Sequence, residues 1–73
     1  MSIIVENTNS IETLNATLHE YRNYIIGRMG LPYHQKNINI ISIALDAPQD
    51  VISALSGRIG NLEGVSVTIA FSK

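Results

Sequence analysis

Two histidines, six carboxylates, five cationic side chains and no cysteine are the reactive inventory of this 73-residue chain. The missing cysteine excludes disulfides and thiolate metal sites. His19 has no histidine or carboxylate four residues away, so its helix face offers no metal pair. His34 stands in a polar stretch beside Lys36. Surface or loop histidine is the plain reading of both; a metal shared across an interface is the alternative. Asp46 and Asp50 flank Pro48. Acids at a helix start favour the macrodipole. A carboxylate pair for acid–base work is the other reading, and nothing near it in sequence serves as a partner.

Gly27-Arg28-Met29-Gly30 has the Gly-x-x-Gly form of a nucleic-acid clamp found in some RNA-binding domains. There the loop joins two helices; here a strand pattern precedes it and Leu31-Pro32 follows. It also lacks the Gly-Lys-Ser/Thr ending of a phosphate loop. Ser53, Ser56, Ser66 and Ser72 lie outside any Gly-x-Ser-x-Gly elbow. The chain therefore shows no nucleophile, base and metal constellation, and an enzyme is not expected. Net charge is −1 with no basic cluster, which argues against direct nucleic-acid binding.

The elements that would position these groups are short. Ile3 to Val5 is a β-branched run ended by Glu6-Asn7-Thr8-Asn9. Asn9 precedes Glu12 by three residues, the spacing of a helix-capping pair. Ile11, Leu14, Leu18 and Tyr21 then recur at helical spacing, which predicts a helix from about Ser10 to Arg22. Tyr24-Ile25-Ile26 opens a second strand with a bulge or bend at a glycine. Leu31 to Asn37 reads as the connecting loop, and Ile38 to Leu45 as the strongest strand. Proline suits the first turn of a helix, and Ile52, Leu55, Ile59 and Leu62 continue one from Pro48 to Leu62. Gly57 inside it implies either close packing on a neighbour or simple tolerance. Val65 to Ser72 alternates cleanly as a last strand.

The order β-α-β-β-α-β predicts a single α+β domain over residues 1–73, ferredoxin-like, with a four-stranded antiparallel sheet and two helices on one face. No apolar stretch is long enough to cross a membrane. The start of the chain lacks a signal peptide's charged and apolar regions, so a cytoplasmic protein is expected.

Hydrophobic residues make up 45% of the chain and charged residues only 15%, against roughly 25% charged in typical domains. The outward positions of the third and fourth strands carry Ile40, Ser42, Ala44, Ser66, Thr68, Ala70 and Ser72, with no charge. So short a chain gains stability from a partner subunit. A homodimer or homotetramer that buries part of this face is the expectation, and paired edge strands would serve the same end.

The residues also resemble a known family. Ile3-Ile4-Val5-Glu6, Leu18-His19-Glu20-Tyr21, Ile25-Ile26-Gly27-Arg28-Met29-Gly30 with Pro32-Tyr33, Ile40-Ile41-Ser42-Ile43, Asp46-Ala47-Pro48, Ile52-Ser53-Ala54-Leu55, Gly64-Val65-Ser66-Val67 and Ser72-Lys73 are similar to the small regulators of the iron-only hydrogenase system. The Ile-Ile-Gly-Arg-Met-Gly segment is the most specific. The resemblance implies an ACT-like fold, close to that of the nickel-sensing half of nickel-dependent repressors. It further implies oligomers that take a small effector at protomer interfaces or dock on a hydrogenase-related protein.

In such domains the ligand commonly sits near the turn after the first strand, which here offers Asn7 and Asn9. Arg28, Tyr33 and His34 are the other polar candidates. No resident cofactor is implied. Relatives tend to carry several more residues before the first strand, so that strand is expected to be short. With neither a cysteine and histidine cluster nor a ribbon-helix-helix segment, direct metal-sensing repression is not expected.

Overall fold

The structure is a computed structural model that describes residues 1–71. Ser72 and Lys73, named above in the outer face and in the resemblance, lie outside the described residues. Four strands and two helices follow in the expected order: β1 (Ser2–Val5), α1 (Ile11–Glu20), β2 (Ile25–Tyr33), β3 (Ile38–Leu45), α2 (Gln49–Gly60) and β4 (Val65–Thr68). The sheet order is β2-β3-β1-β4, and every neighbouring pair is antiparallel. This is the ferredoxin-like arrangement: each β-α-β crossover skips one strand, so β1 lies between β3 and β4.

Alternation decides which residues enter the core. Ile3 and Val5 point towards the helices and are buried, while Ser2 and Ile4 point away. On β3, Ile41 and Ile43 face the same way as Ile3 and are buried. Leu14 and Leu18 of α1 and Leu55 and Ile59 of α2 close the layer from above. The partly buried Ile11, Tyr21, Leu62, Val65 and Val67 rim it. Deleting several carbons from such a layer costs about 2–5 kcal/mol.

The ends of the elements differ from the sequence reading in several places; α1 ends at Glu20 rather than Arg22, and α2 at Gly60 rather than Leu62. Asn9 does not cap α1. Asn7 instead accepts a hydrogen bond from the Asn9 backbone N–H at 2.9 Å, and a single 3-10 turn over Thr8–Ser10 leads into the helix. Strand β2 runs through Leu31-Pro32-Tyr33, read above as loop. An edge strand has one neighbour and needs only part of its N–H row, so proline is tolerated there.

Strand β4 stops at Thr68 rather than Ser72, because Thr68 pairs with Ser2 and β1 has no further strand residue to offer. Phe71, which alternation with Ala70 and Ser72, read above as outward, would turn towards the helices, is exposed. Pro48 caps α2 from outside, with extended φ −58° and ψ 152°, and the helix begins at Gln49.

The predicted irregularity in β2 is present. Ile25 pairs with Leu45 and Gly27 with Ala44, so Ile26 is one residue too many on its strand. The β2–β3 connection is a 3-10 turn over His34–Lys36 closed by Asn37 at φ 55°. Asparagine tolerates that left-handed conformation better than most residues.

At Gly57 an added Cβ would meet no atom within 4 Å, so close packing inside the protomer does not explain this glycine. Gly57→Ala should therefore raise stability by about 0.5–1 kcal/mol through helix propensity. Thermal unfolding should register it as a midpoint several degrees higher.

Candidate functional site

The outer face of the sheet lies opposite the helices. Register places Met29, Leu31 and Tyr33 of β2 opposite Ser42, Ile40 and Ile38 of β3. Ile4 of β1 lies across from Ile40 and Ser66. Ser2, Gly27, Ala44 and Thr68 complete the face by the same pairing. None of these residues is charged. Met29 is 56% exposed and Leu31 52%, and Ile4 and Tyr33 are partly exposed at 38% and 40%. Ile26, at the bulge, is 72% exposed. Scattered apolar residues are ordinary on a surface, but a contiguous uncharged patch marks a contact site.

Strand β2 contributes most of this patch. It is exposed from Ile26 to Tyr33, and only Ile25 is partly buried. The two helices bury the inner residues of β1 and β3, and α1 touches the edge strand through the Asn15–Arg28 hydrogen bond without burying it. The sequence reading found the uncharged positions of β3 and β4 but assigned Leu31 and Tyr33 to a loop. The alternation Met29, Leu31, Tyr33 was the available signal, and Pro32 masked it.

The five polar candidates do not converge. Asn7 and Asn9 sit together in the turn after β1, where Asn7 Oδ1 is engaged by the Asn9 N–H. That turn is packed against another. Glu6 N–H donates to the Gly64 carbonyl at 2.7 Å, and the buried Ser10 hydroxyl donates to the Glu63 carbonyl at 2.7 Å. Gly64 has φ +70°, and a Cβ there would lie 2.7 Å from Asn7 Cβ.

Tyr33 and His34 lie at the far end of the β2–β3 hairpin, where the Tyr33 hydroxyl hydrogen-bonds Gln35 Oε1 at 2.9 Å. His34 is exposed in the 3-10 turn. Arg28 is on the helix side of β2, level with Ile43, and donates to Asn15 Oδ1 of α1 at 2.7 Å. Among the described residues, no group of three or more His, Asp or Glu side chains is placed to hold a metal ion. No helix among them is long and apolar enough to cross a membrane.

A different charged cluster joins the helix ends. Arg58 Nη1 of α2 pairs with Glu20 Oε2 of α1 at 2.6 Å, and its guanidinium lies 5.6 Å from the centroid of the Tyr21 ring. The hydrogen bond from Arg58, with its charge, lowers the Glu20 pKa below the ordinary carboxylate value. The bond to Glu20 in turn raises that of Arg58. Both side chains are about half exposed, so this pair orients the helices more than it stabilises them.

Four antiparallel strands in the order β2-β3-β1-β4 under two helices define a ferredoxin-like α+β protein. The chain belongs to the TM1266-like family, described as "Iron-only hydrogenase system regulator, putative", whose family model matches residues 1–69. Among solved structures it is similar to the uncharacterized protein TM1266 from Thermotoga maritima. The two are 33% identical, with a TM-score of 0.85 over 89% of this chain and 82% of that one. No curated protein matches the chain.

Two outcomes test this geometry. Gly64→Ala places a methyl group against Asn7 and forces a left-handed backbone on an L-residue, which costs about 1–2 kcal/mol before the clash is counted. Urea denaturation should show a lower midpoint with an unchanged slope. For Glu20, a folded-state pKa below the unfolded one means the pair contributes above the ordinary carboxylate range. The contribution is lost as pH falls through the lowered value. The urea midpoints of wild type and Glu20→Gln should therefore differ most near neutral pH and converge in acid.

Proposed function

We propose that the chain, as a single ACT-like domain spanning residues 1–73, is a regulatory module that works as a homo-oligomer and binds a small effector or a protein partner. The observation that carries this reading is the uncharged outer face built on Met29, Leu31, Ile4 and Ile40. A second copy of the chain is the occupant that fits it. Two such faces bring together apolar and hydroxyl side chains with no like charges to repel and no salt bridge to desolvate.

The bare edge of β2 lies along the same patch, so face and edge are covered by one contact. Membership of the regulator family supports a regulatory role over a catalytic one. Asn7, Asn9, Arg28, Tyr33 and His34 remain the polar groups proposed to meet an effector or partner. A cytoplasmic setting is part of the same reading.

Light scattering on the purified chain should give a mass that is a multiple of the 8.0 kDa protomer. Leu31→Glu sets a charge in the centre of the patch at an exposed position and leaves the core intact. It should shift the chain towards monomer, and far-UV circular dichroism should stay native-like at high concentration. A wild-type chain that sediments as an 8.0 kDa monomer at all concentrations would refute the oligomer.

A further inference from the structure

The helix side of β2 carries a feature that the oligomer does not explain. Arg28 and Gly30 both face α1, since they pair with the inward residues Ile43 and Ile41. A Cβ at Gly30 would meet no atom within 4 Å. The space left there belongs to a cavity of about 260 Å³ between the β2–β3 ladder and α1. Ile11 of α1 and Pro32 and Ile41 of the ladder supply apolar wall. Arg28, Asn15 and Asn39 supply the polar groups.

These polar groups are underused. Arg28 spends one N–H on Asn15 Oδ1, and a guanidinium has five. Among the described residues the salt bridge is Arg58–Glu20, so Arg28 has no carboxylate partner. Asn39 lies on the inner face of β3 between Val5 and Pro32, half-buried, where an apolar residue would be expected. A polar side chain set inward beside a cation and an open space is explained by something polar that enters the space.

We propose that this cavity binds a small aliphatic monocarboxylate. The carboxylate takes the free edge of the Arg28 guanidinium in a forked pair, with the Asn15 and Asn39 amides as further donors. The carbon chain lies along Ile11 and Ile41. A single cation suits one negative charge better than a phosphate dianion. No acidic side chain lines the cavity, so the ammonium of an amino acid has no partner there. The space is an open groove of about 260 Å³, roughly nine waters at ~30 Å³ each, so a chain of a few carbons is enough to fill it. This deepens the effector half of the function proposed above, and depends on that reading for its regulatory meaning but not for the binding itself.

The test is a titration of the isotope-labelled full chain with sodium butyrate, followed by amide chemical shifts. 1-Butanol and 2-aminobutyrate serve as comparison ligands. Butyrate should give saturable shifts at Gly30, Asn39 and the Asn15 side chain. The alcohol and the amino acid should bind at least about ten-fold more weakly. Arg28→Gln should weaken butyrate about as much. Gly30→Val, whose Cβ enters open space, should fill the cavity and abolish the shifts while the remaining spectrum stays native.

Absence of saturable shifts through the millimolar range, shifts that map elsewhere, or binding untouched by Gly30→Val would each overturn the site. Equal binding of 2-aminobutyrate would overturn the ligand class. Sedimentation of the same samples separates the two readings. A monomer that binds butyrate supports the site and sinks the oligomer, whereas an oligomer that ignores butyrate sinks the site alone.

Discussion

Ile3 and Val5 sit where every other element meets. They belong to a strand of four residues, and both are essentially excluded from solvent. Their strand is hydrogen-bonded on both sides, to β3 and to β4. Their side chains join the one cluster that contains Leu14, Leu18, Leu55 and Ile59. The crossover topology places this strand inside the sheet, so the two helices must converge over it. Once they do, their combined width is spent on the middle of the sheet. Strand β2, nine residues long, is left mostly uncovered, with the Arg28–Asn15 hydrogen bond as a side-chain link to α1.

The rest of the surface follows from that allocation. A two-layer fold buries one face of its sheet and leaves the other to solvent or to a partner. Here the outer face keeps its apolar character and carries no charge to hold water. The opposite edge of the sheet is treated differently. There the turns around Asn7 and Gly64 lock through Glu6, Ser10 and the Glu63 carbonyl. That end is tied together by its own hydrogen bonds, and the Asn7 side chain is engaged in them. The groups with spare hydrogen-bonding capacity are concentrated near β2 instead.

Much of the architecture was legible because hydrophobic period is a strong signal where one face is buried. Strand β3 has the predicted bounds, and Leu14, Leu18, Ile52, Leu55 and Ile59 are buried as their spacing requires. The misreadings fell where a local signal competes with a tertiary one. Pro32 reads as loop because proline lacks an N–H, yet an edge strand does not need every donor. Ile69 to Phe71 alternates like a strand, yet pairing ends where the partner strand ends. The candidate site was less legible still. Arg28 could be named for its charge, but Gly30, Asn15 and Asn39 give no chemical signal until register and topology set them beside it.

The bulge at Ile26 sets the phase of β2. Counted from the inward Ile25, strict alternation would send Arg28 outward and turn Met29 and Leu31 towards the helices. Because Ile26 has no partner of its own, Gly27 falls opposite Ala44 and Arg28 opposite Ile43, so the cation faces α1 and the apolar residues face out. Removing Ile26 would keep every pair of this ladder and make it regular, with Arg28, Met29 and Leu31 on the faces they hold now. Ile26 is thus a spacer. For a lineage of such chains, losing its codon would straighten the edge strand without rewriting what either face presents.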